Sequence, residues 1–345
     1  MNTKENKNAH YILPYNLGMG GVSIGNEFEP VSDEEANKTL KTAWQEGIRY
    51  YDVAPWYGLG LSERRFGYFL HNKPREEYVI SSKVGKLLRA SKNVVPEKGP
   101  FPFSPSPNEV IFDYSASGIR RSIEDSLQRL GIDSLDIAYV HDLSPDNPLF
   151  KKGEWLEHFK VAEKGAFPEL TKMKEEGIIK GWGLGVNTPQ PILKVLEVAK
   201  PDIFLFAAQY SLIDHDNAIE NIFPKIRENN ASLVMGSNLN AGYISGSERY
   251  NYGDKIPDFA IQKRNKLREI AKDHNVNLRT AALQFASFPD VAAAIVPGMH
   301  TPDQVRENVK SMNTKIPMDF WHELKAEKLI HEKAPVEKQV LTESV

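Results

Sequence analysis

Short apolar runs along this chain repeatedly end in polar side chains. Asp52, Lys83, His141, Asn187, Gln209 and Ser237 each stand at or just past the end of one. A carboxylate or ammonium buried at such a place is costly unless it is paired or working. A structural ion pair between Asp52 and Lys83 is one reading, but it leaves His141 and Asn187 as coincidences. Tyr57 follows closely, in Tyr51-Asp52-Val53-Ala54-Pro55-Trp56-Tyr57-Gly58. Alone, a loop tyrosine between Trp and Gly is more often a surface anchor than a catalyst. Beside a lysine and a histidine it becomes a candidate acid/base, because a phenol titrates at about 10 and an adjacent ammonium makes it usable near neutrality. The chemistry indicated is proton transfer at an oxygen, with Tyr57, Lys83, Asp52 and His141 as the catalytic candidates.

Elements that gather these ends into one place must come next. Strand-like runs cover 49–53, 78–84, 135–141, 181–186, 203–209, 232–235 and 292–296, with an earlier one near 15–19. Helical patterns lie between them at 32–45, 115–130, 167–176, 191–200, 217–229 and 259–274. Ser32 and Glu35 have capping-box spacing, and Gly131 closes the 115–130 helix. Runs such as Ile203-Phe204-Leu205-Phe206 suit parallel strands covered by helices. Such units repeat along the chain with no linker-like shift in composition. This predicts one (β/α)8 TIM barrel over 1–345, not two doubly wound domains, with the polar strand ends converging on its C-terminal rim.

The rhythm breaks at 85–112, where Pro96, Pro100, Pro102, Pro105 and Pro107 fall in a stretch without periodicity. It follows the third strand on the active-site side, so a lid or pocket wall is expected; a decorative insertion is the plainer alternative. Polar tails are expected at 1–10 and 334–345.

The 345 residues are 41% hydrophobic and carry a net charge of −3 with both signs interspersed, so there is no basic stripe for nucleic acid and no polybasic membrane patch. The absence of cysteine excludes disulfides and a thiol nucleophile and suits a reducing compartment. No signal peptide or spanning segment is read, so a cytoplasmic location is expected. Gly21-Val22-Ser23-Ile24-Gly25 has the form of a hydrolase elbow, but no helix follows at once, and the glycines are read as a loop near a cofactor. There is no dinucleotide-binding glycine fingerprint, no phosphate loop and no zinc motif, so no metal is expected.

The residues together resemble the aldo-keto reductase family over nearly the whole chain. The stretches are Gly47-Ile48-Arg49-Tyr50-Tyr51-Asp52-Val53-Ala54, Tyr57-Gly58, Ser62-Glu63, Val79-Ile80-Ser81-Ser82-Lys83, Ser126-Leu127-Gln128-Arg129-Leu130-Gly131, Asp136 to His141, and Gly177 through Asn187. The resemblance implies a catalytic tetrad of Asp52, Tyr57, Lys83 and His141. It places the nicotinamide carboxamide on Asn187 and Gln209. The rest of the cofactor falls near Gly20, Gly21, Ser237, Leu239, Gly242, Pro297, Gly298, Thr301 and Gln304, with Glu307 and Asn308 at adenine. Trp56, Tyr57, His141 and Tyr114 would meet the substrate. Tyr57-Gly58-Leu59-Gly60-Leu61-Ser62-Glu63-Arg64-Arg65, the Pro-rich insertion before Phe112-Asp113-Tyr114-Ser115, and His141-Asp142 are most similar to the aldose 1-dehydrogenase branch. That branch includes L-fucose, L-galactose and D-threo-aldose dehydrogenases and a pyridoxal dehydrogenase.

Two departures from the family pattern bear on the cofactor. The tyrosine that many members stack on nicotinamide after the seventh strand is Gly236 here, and the Lys and Arg that hold an NADP 2′-phosphate are Gly298 and Gln304. The resemblance therefore implies oxidation of a free aldose at C1 to the lactone, with NAD preferred over NADP and with Lys83 depressing the Tyr57 pKa. The alternatives are an NADPH-dependent aldehyde or ketone reductase, a pyridoxal dehydrogenase, and a non-enzymatic nucleotide-binding regulatory subunit. The sugar and the oligomeric state are not legible.

Overall fold

The computed structural model describes residues 11–253 and 255–337. The predicted N-terminal tail lies outside the described residues, as do 338–345 of the C-terminal one. The strands are β1 Gly18–Gly20, β2 Tyr50–Asp52, β3 Val79–Val84, β4 Lys86–Ala90, β5 Asn108–Phe112, β6 Ile137–His141, β7 Gly181–Val186, β8 Ile203–Ala207, β9 Ser232–Gly236 and β10 Ala292–Val296. One 8-stranded parallel sheet runs in the order β1-β2-β3-β6-β7-β8-β9-β10. It closes on itself: Leu17 bridges Ile295, Gly20 bridges Gly298, and the Ile295 amide donates to the Asn16 carbonyl at 3.0 Å. This is the expected (β/α)8 barrel.

Strands β3, β6, β7, β8 and β9 are buried along their whole length. One face packs inside the barrel and the other lies under helices, which is why they read as runs and not as alternations. Inside, Tyr50, Val79, Ile137, Tyr139, Leu205 and Val234 pack with Leu13, which precedes the first strand. Outside, helices such as Asp33–Gln45 and Ala116–Leu130 bury one stripe each. The Ser32–Glu35 capping box forms in full, and Gly131 ends its helix at φ +66°, a left-handed conformation that costs glycine least.

Helices also stand outside the helical patterns given above, among them Leu61–Leu70, Glu154–Lys164 and Leu278–Ser287. The first buries Ser62 and Glu63, and the last is buried nearly all round, so neither shows a clean apolar stripe. The segment after β3 also holds more structure than its prolines suggested. Strands β4 and β5 pair antiparallel from Lys86↔Phe112 to Ala90↔Asn108, and the proline-rich part is the connection between them. Among the described residues no helix is long and apolar enough to cross a membrane.

Candidate active site

Period-two alternation along strands puts Asp52 on the same side as Tyr50, Lys83 with Val79, and His141 with Tyr139. Those neighbours fill the barrel interior, so all three polar side chains point inward at the C-terminal ends of β2, β3 and β6. Lys83 Nζ donates to Asp52 Oδ2 at 2.7 Å and to the Val53 carbonyl at 3.0 Å. Asp52 Oδ1 accepts from Ser81 Oγ at 2.7 Å. The Lys83 and Asp52 side chains are only 1% and 3% exposed, so the pair must be mutually compensated.

Tyr57 is delivered by the loop after β2. Gly58 takes φ +63°, and a Cβ there would lie 2.3 Å from the Gly25 carbonyl oxygen. Ser62 Oγ donates to the Gly21 carbonyl at 2.8 Å. The fully buried Glu63 accepts from Ser82 Oγ and from Arg129 Nε, each at 2.6 Å, which ties the following helix to β3. The Tyr57 ring then sits with Lys83 Nζ 4.5 Å from its centroid and the His141 ring edge-on, centroids 5.8 Å apart.

The electrostatics differ from the expectation in one respect. Burial pushes the Tyr57 phenol well above its ordinary range, and Asp52, Tyr252, Asp142 and Glu27 add to this. Burial and these charges outweigh Lys83, whose ammonium lies over the ring face and is offset by Asp52. Burial also lowers Lys83, with Asp52 opposing. His141 is held well below its ordinary value, first by burial and then by Lys86 and Lys83, so it is neutral at pH 7. Its Nδ1 is buried with no hydrogen-bond partner among the described residues.

A cavity of about 950 Å³ opens above this group. Of the expected residues, Asp52, Tyr57, Lys83, His141, Gly20, Gly21, Trp56, Asn187, Gln209, Ser237, Leu239, Gly242, Pro297, Gly298 and Gln304 line it. Thr301, Glu307, Asn308 and Tyr114 are not in that lining. Thr301 caps the helix Pro302–Asn313 by accepting from the Gln304 amide, and Glu307 is paired with Arg279. Tyr114, expected at the substrate, is instead packed against Gly85 beneath the wall, with its hydroxyl 3.5 Å from the His141 carbonyl. The aromatic ring won a place in the core because it is nearly all apolar surface next to a glycine gap.

The proline-rich connection forms part of the wall. Pro100 lines the cavity, Phe101 packs edge-on against Trp56 with centroids 5.1 Å apart, and Ser104 Oγ donates to the Gly58 carbonyl at 2.7 Å.

Several lining residues had no forecast: Glu27, Lys86, Asp142, Arg249, Tyr252 and Arg279. Asp142 adjoins His141 and was readable from that spacing. Arg279 stands on a helix without an apolar stripe, and Tyr252 reaches Ser237 Oγ at 3.0 Å across a loop, so neither left a sequence signal. The cavity's size suits a dinucleotide with room for a small substrate. Asn238, in the lining, and Asn308, close by in sequence to Gln304, have both amide atoms buried with no hydrogen-bond partner among the described residues. Gly236 and Gly298 leave the wall open where side chains would intrude.

Comparison with known proteins bears on this arrangement. The sequence model described as "Aldo/keto reductase family" matches residues 16–328. A D-threo-aldose 1-dehydrogenase from a Pseudomonas species is 36% identical over 326 residues, covering 91% of this chain and 94% of that protein. A pyridoxal 4-dehydrogenase of Microbacterium luteolum is 36% identical over 331 residues, with the same shares, 91% and 94%. Among solved structures, the holo form of an aldo-keto reductase of Bacillus halodurans superposes with a TM-score of 0.70 at 23% identity, covering 92% of this chain and 94% of that one.

Proposed function

Because this chain belongs to the aldo/keto reductase family, and is an NAD(P)-dependent oxidoreductase acting on CH–OH groups, we propose that it oxidises a free aldose at C1 to the lactone with NAD+. The observation that carries the reading is the meeting of Tyr57, the Lys83–Asp52 pair and neutral His141 at one end of the cavity. The 36%-identical relatives named as dehydrogenases, one of an aldose, support the direction and substrate class.

The bound dinucleotide supplies the hydride acceptor. Asn187 and Gln209 would hold its carboxamide, the loops at Ser237–Gly242 and Pro297–Gly298 its phosphates, and Asn308 its adenine. Tyr57 takes the C1 hydroxyl proton as the C1–H bonding pair leaves as hydride and the carbonyl of the lactone forms. Neutral His141 donates a hydrogen bond to the reacting oxygen and orients it. Asp52 keeps Lys83 fixed beneath the Tyr57 ring, so that its charge stabilises the tyrosine once ionised. Turnover of L-fucose, L-galactose and other free aldoses, followed as NADH formation at wavelengths where only the reduced cofactor absorbs, tests the reading. Turnover of pyridoxal alone would replace the sugar, and no turnover at all would favour the regulatory-subunit alternative.

Preference for NAD+ over NADP+ is supported by what faces the cavity. Gly298 has no side chain. The Gln304 amide oxygen accepts the His300 amide proton at 2.9 Å and is tied into its own loop. His300 Nε2 pairs with Glu29 at 2.7 Å. Arg306 is engaged by Asp303 at 3.0 Å and is not in the lining. Of the unannounced cations, Arg279 is already matched by Glu307, Lys86 by Asp142, and Arg249 donates to the Ala241 carbonyl and lies over the Phe28 ring. A 2′-phosphate would therefore have to displace a carboxylate or go unpaired, a loss of about 2–4 kcal/mol. That corresponds to roughly 30-fold to 1000-fold in kcat/KM in favour of NAD+. Parity between the cofactors would overturn the preference. If Arg279→Ala then removed only NADP+ use, the guanidinium would be the phosphate's partner.

A further inference from the structure

A second lysine–aspartate pair, its lysine buried and its aspartate half-buried, stands beside the first. Lys86 Nζ donates to Asp142 Oδ2 at 2.6 Å, and the Lys86 side chain is only 3% exposed, lying 4.5 Å over the Trp56 ring. Both residues line the cavity. Asp142 Oδ2 is also 3.4 Å from His141 Nε2, the ring nitrogen left to meet a substrate, since Nδ1 is buried with no partner among the described residues.

Asp142 is held there at some cost. Its backbone is left-handed at φ +45°, a conformation that disfavours most side chains. The strained turn is pinned on both sides: the Asp142 amide donates to the Gly185 carbonyl at 2.9 Å, and Asn147 Nδ2 donates to the Asp142 carbonyl at 3.0 Å. Asp142 Oδ1 has no hydrogen bond among the described residues. A carboxylate that keeps an open acceptor at the mouth of an ion pair, beside the histidine, is suited to a hydroxyl next to the reacting one.

Resting on the aldose reading above, we propose that Asp142, with Lys86 fixing its charge and direction, binds the 2-hydroxyl of the sugar whose C1 hydroxyl is held by His141. The 2-hydroxyl donates to the carboxylate while the C1 oxygen accepts from the imidazole. A substrate without a donor at that position leaves a half-buried carboxylate short of a partner, so the pair selects polyols over simple alcohols and aldehydes.

The test is a cycle between residue and substrate. L-fucose, L-galactose, D-glucose and D-ribose are each assayed beside their 2-deoxy counterparts, with the wild type, Asp142→Ala and Lys86→Met. For any sugar that the wild type oxidises, Asp142→Ala should lower kcat/KM by roughly 10-fold to 100-fold, the scale of a hydrogen bond to a charged group. For its 2-deoxy counterpart the loss should stay within about 3-fold, because that contact is already absent. Lys86→Met should reproduce the selective loss in weaker form, with CD spectra unchanged. Equal losses on both sugars would mean a merely structural pair and overturn the proposal, as would no loss on either. Failure of the wild type on every aldose would overturn the aldose reading itself, a separate result.

Discussion

Tyr57 carries its proton more tightly than a free tyrosine, because burial and the surrounding carboxylates outweigh a lysine whose charge Asp52 already offsets. A base with a raised pKa makes oxidation rise with pH across the neutral and mildly alkaline range. Removal of a proton is required, and the deprotonated fraction grows tenfold per unit below the pKa. The logarithm of kcat/KM for oxidation should therefore climb from pH 7 to about 9.5 without a plateau. A flat profile in that window would show a base ionised below neutrality. His141 is neutral throughout and contributes no limb there. Tyr57→Phe keeps the ring packed against His141 while deleting the hydroxyl, so turnover should fall roughly 10²-fold or more with NADH affinity nearly unchanged by fluorescence titration. Near-normal turnover in the variant would remove Tyr57 from the reaction.

The loop between β2 and the helix Leu61–Leu70 is what turns a tyrosine into a candidate base. Its path is set by backbone contact: Gly25 and Gly58 touch so closely that a Cβ on either would meet main-chain atoms, at 2.7 Å and 2.3 Å. Neither neighbour is a flexible side-chain tip, so something in the backbone must move. Gly58→Ala combines that clash with a side chain at φ +63°. We expect kcat to fall at least about 10-fold through displacement of Tyr57, since misplacing a reacting group by an ångström costs on the order of 100-fold. The far-UV CD spectrum should stay barrel-like and Tm should drop by a few degrees. Unchanged kcat would show that the loop tolerates another path and that Tyr57 is positioned by its ring contacts alone.

At the scale of the whole molecule, stability depends on a histidine far in sequence from the catalytic group. His215 Nδ1 faces the Ser211 carbonyl at 2.8 Å, and Nε2 accepts the His331 amide proton at 3.0 Å, so the neutral ring is fully satisfied. Burial, aided by Lys263, lowers its pKa from 6.5 to about 4. The unfolded chain therefore takes up this proton before the folded one does. The contribution is fully present above about pH 6.5 and is lost as pH falls toward 4. His215→Gln should flatten the fall of Tm between pH 6.5 and 4.5, though it lowers Tm at pH 7. An equally steep fall in the variant would assign the acid sensitivity to other groups.

How much of this was written in the sequence follows from the range of each interaction. The barrel was legible because burial on both faces makes each strand an apolar run, and their places at strand ends put Asp52, Lys83 and His141 on one rim. Local chemistry also fixed the Ser32 cap and the close of the helix at Gly131. Contacts between distant segments left no comparable pattern. Glu63 looks like a surface residue until Ser82 and Arg129 meet it in the core, and Tyr114 looks like a ligand platform until Gly85 takes it beneath the wall. The sequence determined which side chains stand at the strand ends. Only the tertiary structure decided that Lys83 would be committed to Asp52, that Lys86 would reach Asp142, and that burial would dominate the Tyr57 proton, because desolvation and charge pairing depend on what surrounds a group in space and not on its neighbours along the chain.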